Sequence, residues 1–510
     1  MEKIAIIDMG SNSIRFLVLE IADNRSYTLL YQEKETIRLG VGLAQSGYIS
    51  ADGIKRALNS LKMYRHIMSV MGVNKCLAVA TAAVRSAKNG REFLETIKQE
   101  THIHMEVITG EREAYLGYLG VINTIRERDF LLFDLGGASI EMTLVRQGKP
   151  EKSISLPMGA VTLTERFQLQ NTVHTDTLQA CQKYIRKKLL TVPWLHNINI
   201  PLIGIGGTAR TFAKMDQKAT NYEFSKIHNY QLSLSRFTDI YEQVTTRTHA
   251  NRKKIPGLSG DRVDIIVAGA TVLKEVFALT ASKEMIIGGC GLCEGLFYEY
   301  YAQYFQLPSP QIENILEFSI TNFIGTLGSA VHRIHCKQVT RLTLQLFDQL
   351  QPLHRYGRRA RTLLMTAARL HDVGKTINFY NHARHSAFMI GHAPLYGLTH
   401  REQLIAGFIA GFHHGISRKT LIAYRYAQMA DADDWIMIRK LSTLLALADA
   451  SDLTYEQVVQ DFSITIQDDI VVLVITSAPD SVHEAADYAM KQYIKQFKKE
   501  FHMSLVLIWK

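Results

Sequence analysis

Short apolar runs alternate with amphipathic stretches over the first 300 residues of the chain. The apolar runs predict β-strands, bounded by Gly-rich or polar residues, at positions 3–8, 14–21, 75–80, 130–133 and 140–145. Helical spacing of apolar positions predicts helices at 51–71, 175–190 and 233–246. This alternation is typical of an α/β fold.

Three short apolar runs, at 3–8, 130–133 and 202–205, lead into glycine-rich turns. The turns are Asp8–Ser13, Asp134–Ser139 and Gly204–Thr208. Glycine lets backbone N–H groups approach an anion, and an aspartate at the end of a strand can hold a metal ion or a water network beside it. A single such turn is more often ordinary turn chemistry. Three of them predict two related α/β domains that close on a phosphorylated ligand.

Two further charged residues stand near these turns. Arg85 follows the strand at 75–80, at the end where ligands gather in α/β sheets. Its guanidinium suits a phosphate clamp, or it caps the next helix. Glu113 lies in the first turn of a helix that opens at Thr109, where the helix dipole alone explains a carboxylate. The alternative is a general base that takes a proton from an attacking water.

The C-terminal 200 residues have a different pattern. After a linker at 307–310, the chain is predicted to be helical to about Phe462, and histidines concentrate there. The adjacent pair His371 and Asp372 offers two ligands from one turn, and imidazoles and carboxylates of other helices can complete a divalent metal site. From Phe462 a hairpin, a long helix at 481–501 and a strand at 504–509 predict a small α+β unit.

Composition narrows the class of protein. Of the 510 residues, 47% are hydrophobic and 21% charged, as in ordinary globular proteins. No apolar stretch approaches the length of a membrane span or resembles a leader, and five scattered cysteines do not form a disulfide framework, so we expect a cytoplasmic protein. The balance of 58 Lys+Arg against 48 Asp+Glu, a net charge of +10, favours polyanionic partners.

Taken together and in order, five motifs resemble the bacterial exopolyphosphatase/guanosine pentaphosphate phosphohydrolase (Ppx/GppA) family. They are Asp8–Ser13, Ala80–Arg85, Thr109–Ala114, Asp134–Glu141 and Gly204–Thr208. The resemblance covers nearly the whole chain. It implies duplicated actin-like ATPase (ribonuclease H-like) domains at 1–125 and 126–306, an all-α HD-type domain at 311–461 and a small α+β domain at 462–510.

The resemblance also implies roles for individual residues. Glu113 would be the general base and Asp134 the acidic residue at the metal and the attacking water, supported by Glu141. Arg85 would grip the terminal phosphates. The implied phosphate-binding turns comprise Ser11, Asn12, Gly136, Gly137, Ser139, Gly207 and Thr208. The cofactor would be Mg²⁺ or Mn²⁺.

In the helical domain the resemblance to HD phosphohydrolases implies a second divalent metal site. Its ligands would be His335, His371, Asp372, His385, His413, His414 and Asp449. This set leaves two alternatives open: a second active site for a phosphodiester or phosphorylated nucleotide, or a basic channel for polyphosphate with any metal structural.

Three functions follow from these inferences. The first is a processive exopolyphosphatase that releases orthophosphate, and the second is a guanosine pentaphosphate 5′-phosphohydrolase. The third is a phosphate-ligand sensor that regulates a partner, against which Glu113 argues because binding alone needs no base. We expect a homodimer, as for long members of the family, with no membrane and no specific nucleic acid as partner. Two departures from the family pattern, Ala138 and Cys293, bear on phosphate affinity.

Overall fold

The computed structural model describes residues 1–328, 331–415 and 426–510. They form two compact units, Met1–Ile315 and Leu316–Lys510. Among the described residues, no helix has the length and apolar character needed to cross a bilayer.

The first unit contains two mixed β-sheets. The strands are β1 Glu2–Met9, β2 Ser13–Ile21, β3 Tyr27–Thr36, β4 Lys75–Ala80, β5 Glu106–Val107, β6 Phe130–Leu135, β7 Ile140–Arg146, β8 Lys149–Leu156, β9 Leu202–Ile205, β10 Tyr230–Ser233 and β11 Glu284–Ile287. One sheet has the order β3-β2-β1-β4-β5 and the other β10-β11-β9-β6-β7-β8. In each sheet an antiparallel hairpin, β1–β2 or β6–β7, is followed by a parallel crossover strand, β4 or β9. This shared connectivity is the duplication that the glycine turns predicted.

Helices cover the faces of both sheets. Their bounds are Leu43–Ser46, Ala51–Met71, Ala82–Ser86, Gly90–Thr101, Gly110–Ile122, Ala160–Phe167, Thr175–Leu189, Gly206–Ala219, Leu234–Thr246, His249–Arg252, Ile266–Thr280 and Leu292–Tyr304. The central strands are buried and apolar, as their sequences require, with Ile4–Ile7 and Phe130–Phe133 essentially inaccessible to solvent.

The second unit is helical and then β-rich. Its helices are Ile315–Thr326, which starts at the boundary, Arg333–Gln349, Gln351–His354, Arg358–Leu370, His382–His392, His400–Gly411, Ala432–Ala450, Glu484–Lys491 and Ile494–Phe501. Strands β12 Val459–Gln467, β13 Ile470–Ser477 and β14 Ser504–Trp509 form a sheet in that order. The single helix predicted at 481–501 is wrong, because two helices occupy that stretch. At Gln492 and Tyr493 the backbone N–H groups bond the carbonyls three residues back, which tightens the chain into a turn.

Candidate functional site

The first two glycine turns are built alike. In one, the Gly10 N–H donates to the Ser13 carbonyl at 3.0 Å; in the other, the Gly136 N–H donates to the Ser139 carbonyl at 3.0 Å. Each turn joins two antiparallel strands, so the residue at the end of one strand faces a residue at the start of the next. Asp8 therefore lies opposite Arg15, and Asp134 lies opposite Glu141.

The two turns lie against each other, and a cavity opens beside them. A Cβ added to Gly137 would lie 3.0 Å from the Cβ of Ser11. The cavity holds about 90 Å³. Backbone of all three predicted turns and carboxylates from three elements line it; among the lining residues are Asp8, Ser11, Asn12, Glu113, Asp134, Gly136, Gly137, Ser139, Gly206 and Gly207.

Glu113 reaches this cavity from the helix Gly110–Ile122. Thr109 caps that helix by accepting a hydrogen bond from the Arg112 N–H at 3.1 Å, which fixes the first turn and with it the direction of Glu113. The Glu113 side chain is only 12% exposed, and its Oε2 lies 3.3 Å from Nη1 of Arg85. The carboxylate is thus held at the edge of the cavity by one cation.

Several carboxylates are gathered here away from solvent, and their charges oppose one another. Burial, then the charges of Glu141, Asp134 and Asp8, raises the pKa of Glu113 well above its usual value. Burial, then the charge of Asp134, raises the pKa of Glu141 to about 7. Burial also raises the pKa of Asp134, and it raises that of Asp8 to about 6 although Arg15 opposes it. A cluster of this kind is typical of a functional site rather than of a structural core.

Three arginines that the sequence analysis did not select also line the cavity. They are Arg15, Arg210 and Arg262. Nε of Arg210 is buried and has no hydrogen-bond partner among the described residues, and burial lowers the pKa of this side chain to about 10. A Cβ added to Gly207 would lie 1.8 Å from Nη2 of Arg262, so glycine is needed for that guanidinium to reach the third turn. For Arg15 the sequence did contain a signal. Arg15 occupies in the first hairpin the position that Glu141 occupies in the second.

Three of the predicted residues do not line this cavity. Arg85 donates to the Ile108 carbonyl at 2.6 Å and pairs with Glu113. Glu141 is buried behind Asp134 and accepts a hydrogen bond from the Ser155 hydroxyl at 2.8 Å. Thr208 is buried against the helix Ile266–Thr280, where a Cβ on Gly269 would lie 2.9 Å from its Oγ1. Thr208 is therefore not among the described residues that line the cavity, and its predicted hydrogen bond to phosphate has no support from this placement.

The carboxylates fit a divalent cation. Oxygen ligands of this kind suit Mg²⁺ and Mn²⁺, and a positive ion favours the ionised form of carboxylates whose pKa is raised first by burial and then by neighbouring carboxylates. Asp8 and Asp134 line the cavity, and Glu141 lies behind Asp134.

These pKa shifts predict that stabilisation by a divalent cation grows with pH. A carboxyl whose pKa is raised in the folded state stabilises the fold below its unfolded pKa, about 4, and this contribution is lost as pH rises through the folded pKa, about 6 to 7 here. Excess Mg²⁺ should therefore raise the melting temperature more at pH 8 than at pH 5.5. Thermal unfolding of His371→Ala/Asp372→Ala, which removes ligands of the second centre described below, checks this. Equal shifts at both pH values would contradict it.

A second cluster of titratable residues lies in the helical part of the second unit. Nε2 of His335 lies 3.1 Å and Nε2 of His371 lies 3.2 Å from Oδ1 of Asp449, and Nε2 of His413 lies 3.9 Å from its Oδ2. Asp372 Oδ1 lies 3.7 Å from His371 Nε2. The five side chains come from four separate parts of the unit, because His371 and Asp372 are adjacent in sequence, and folding has brought these parts together.

One predicted ligand is replaced by a neighbour. His385 does not join the cluster; His382, one helical turn earlier, does. Its Nε2 lies 3.3 Å from Oδ1 of Asp372 and 3.1 Å from Nε2 of His414. Three residues along a helix turn a side chain by about 300°, so spacing alone could not choose between His382 and His385.

This cluster also fits metal ions. Two trios of ligand atoms, His335/His371/Asp372 and His382/His413/His414, each lie within 4.8 Å of one another. Oδ1 of Asp372 and Nε2 of His413 are buried without a hydrogen-bond partner among the described residues. Backbone carbonyls of Ala368 and Ala410 lie 2.8 and 2.5 Å from Nδ1 of His371 and His413, so that Nε2 points into the cluster. We call this cluster the histidine centre.

Fold and first site together define a phosphate-binding protein built from two duplicated α/β domains. The Ppx/GppA phosphatase family model matches residues 17–303, and the model of Ppx/GppA phosphatase, domain III, matches residues 326–460. The chain belongs to the Ppx/GppA phosphatase family, which confirms the family, the actin-like fold and the place among phosphatases predicted from the motifs.

Named relatives agree with this family. The chain is 32% identical over 285 residues to the bifunctional 3-dehydroquinate synthase/phosphatase of Fusobacterium nucleatum, a match covering 53% of this chain and 42% of that one. The chain thus spans less than half the length of this relative.

Two solved structures resemble the chain over about three fifths of its length. An exopolyphosphatase from Cytophaga hutchinsonii is 29% identical with a TM-score of 0.56, and the match covers 59% of this chain and 98% of that one. The Aquifex aeolicus Ppx/GppA family member is 27% identical with a TM-score of 0.51, covering 60% and 99%.

Proposed function

We propose that the first unit is a metal-dependent exopolyphosphatase that removes terminal phosphate from inorganic polyphosphate processively and releases orthophosphate. The observation that carries the proposal is the placement of Glu113 at the cavity formed by two matched glycine turns. Burial and the neighbouring carboxylates raise its pKa, which makes its carboxylate a stronger proton acceptor than an exposed glutamate.

The chain's own residues divide the reaction as follows. Glu113 accepts a proton from water, whose oxygen then bonds to the terminal phosphorus. The anhydride P–O bond breaks, its electrons stay on the leaving oxygen of the shortened chain, and orthophosphate is released. Backbone N–H groups of Gly137 and Gly207 and the guanidinium of Arg210 are placed to stabilise the phosphoryl oxygens.

The divalent ion would be held by Asp8 and Asp134, with Glu141 behind them. When bound it supplies neutralisation of the negative charge that phosphate brings to a carboxylate-rich cavity. The first departure from the family pattern, Ala138, lies in a turn whose backbone is in close contact with Gly159. The second, Cys293, is buried near the charges of Asp8 and Arg15.

The alternative substrate is guanosine pentaphosphate, which one observation favours. A cavity of about 330 Å³ shares Asn12 with the first and is lined by Arg38, Glu165, His249 and Asp264. It offers hydrogen-bonding groups and room for a nucleoside. Orthophosphate release from long-chain polyphosphate and from guanosine pentaphosphate, measured side by side with Mg²⁺, tests the assignment. A higher kcat/KM for polyphosphate supports the exopolyphosphatase, and the reverse order would replace it with the pentaphosphate phosphohydrolase.

For the second unit we propose a separate HD-type phosphohydrolase centre that holds divalent metal. Its support is the convergence of the two ligand trios with Asp449. We also propose a cytoplasmic location, from the composition and the cysteine usage, and a homodimer, from the family resemblance alone.

The metal proposal predicts a change in metal content. His371→Ala/Asp372→Ala should remove the metal that purified protein retains after dialysis, because each trio loses a ligand or a buried partner. Elemental analysis of the folded variant checks this, with His385→Ala as the matched control that keeps wild-type metal content. Retention of metal by the double variant would place the ion elsewhere.

A further inference from the structure

The histidine centre opens into a cavity much larger than an inorganic phosphate. The cavity holds about 660 Å³, and four residues of the histidine centre line it: His335, His382, His414 and Asp449. Three apolar side chains of its lining are exposed to solvent. They are Phe379, Tyr380 and Leu453, at 68%, 78% and 53% exposure. Large exposed apolar groups beside a polar centre are typical of a ligand site.

The two aromatic rings form an ordered pair at the mouth. The ring centroids of Phe379 and Tyr380 are 5.9 Å apart at an interplanar angle of 84°, and Phe379 packs 6.0 Å from the His382 ring. The His382 Nδ1 lies 2.9 Å from the Phe379 carbonyl, which fixes the segment that carries the rings to the metal-ligating helix. The rings are therefore held at a set distance from the centre.

One cationic side chain, Lys375, lies between the centre and the rings, and a second lines the cavity. Nζ of Lys375 lies 2.5 Å from Oδ2 of Asp372 and 2.6 Å from the Tyr455 hydroxyl, and 5.9 Å from the centroid of the Phe379 ring. The exposed Arg384 lines the same cavity. Lys375 thus lies between a carboxylate of the histidine centre and the face of an aromatic ring.

We propose that this cavity binds a nucleoside phosphate, with the phosphate at the histidine centre and Lys375, and the base stacked on Phe379 or Tyr380. The inference rests on the proposed metal site and adds the ligand class. A polyphosphate chain has no planar group and gains nothing from exposed rings, whereas every nucleobase has a face that stacks on them. This assignment separates the two alternatives left open for the helical domain and favours a nucleotide over a channel for polyphosphate.

The test compares a nucleotide with its inorganic counterpart in the whole protein. Equilibrium binding of guanosine and adenosine 5′-triphosphates and of tripolyphosphate is measured with Mn²⁺ in Glu113→Gln, to limit turnover at the first site. Phe379→Ala/Tyr380→Ala should weaken nucleotide binding at one site about tenfold or more, as expected for loss of base stacking, and leave tripolyphosphate binding unchanged. Phe388→Ala, which removes a 63% exposed ring outside the cavity on the following helix, is the control.

The outcomes separate this inference from the proposed metal site. Suppose that Phe379→Ala/Tyr380→Ala retains its metal. If it then binds nucleotide and tripolyphosphate equally more weakly, or binds both as the parent protein does, the nucleotide assignment is overturned. The metal content of wild type is compared with that of His371→Ala/Asp372→Ala. Equal metal content in the two proteins would overturn the metal site on which the inference rests.

Discussion

Replacing Glu113 with Gln is expected to lower kcat for phosphate release from polyphosphate by about 10²–10⁴-fold, the usual contribution of a general base. Gln keeps the shape of the side chain and a hydrogen-bond acceptor for Arg85, but it cannot take a proton from water. KM should change little, because the glycine turns and the cavity arginines are untouched. Initial rates of orthophosphate release with Mg²⁺ check both values.

The control is Glu111→Gln, in the same first helical turn but not among the residues that line the cavity. It should retain wild-type kcat. A Glu113→Gln enzyme with full turnover would require a different base, and loss of activity in both variants would indicate damage to the helix rather than loss of a base.

Replacing Gly159 with Ala is expected to damage the second glycine turn. An added Cβ would lie 2.2 Å from the Gly137 carbonyl carbon and 2.3 Å from the Ala138 nitrogen, so backbone must move. The helix after Gly159 is tied to that turn, since the Ala160 N–H donates to the Gly136 carbonyl at 3.0 Å. We expect a loss of about 1–3 kcal/mol in the free energy of unfolding. Because a shift of about 1 Å in a binding group can cost 10²-fold, kcat/KM should fall by about that factor.

Gly357→Ala is a matched control for this change. Gly357 also precedes a helix, its backbone is extended in the same way, and no atom lies within 4 Å of a Cβ added there. It should leave both stability and phosphate release nearly unchanged. If Gly159→Ala behaves like Gly357→Ala, the close contact between Gly159 and the turn has no functional weight.

The sequence predicted the buried strands of the fold well but missed strands at the sheet edges. β3 and β8 lie at the ends of their sheets. β8 begins Lys149-Pro-Glu-Lys-Ser153, and the second half of β3, from Gln32 to Thr36, is polar and charged. An edge strand needs little apolar side-chain burial and is guarded by polar groups, so hydrophobic alternation cannot reveal it.

The motifs identified most of the candidate site, because most of them end a buried strand and strand ends meet at one edge of a sheet. Arg210 and Arg262 were not predicted, since their approach depends on tertiary packing, as the contact of Arg262 with Gly207 illustrates. The prediction of His385 rather than His382 as a ligand failed for a similar reason. Both histidines lie on one short helix, and only packing against Asp372 and His414 separates them.

The most direct test of the central claim is orthophosphate release from long-chain polyphosphate by wild type, Glu113→Gln and His371→Ala/Asp372→Ala, with Mg²⁺ and equal amounts of folded protein. The account predicts that the double variant keeps wild-type release and that Glu113→Gln loses it, which places the hydrolysis at Glu113 and Asp134. Loss of release in the folded double variant, with activity retained in Glu113→Gln, would contradict the account and move the chemistry to the histidine centre.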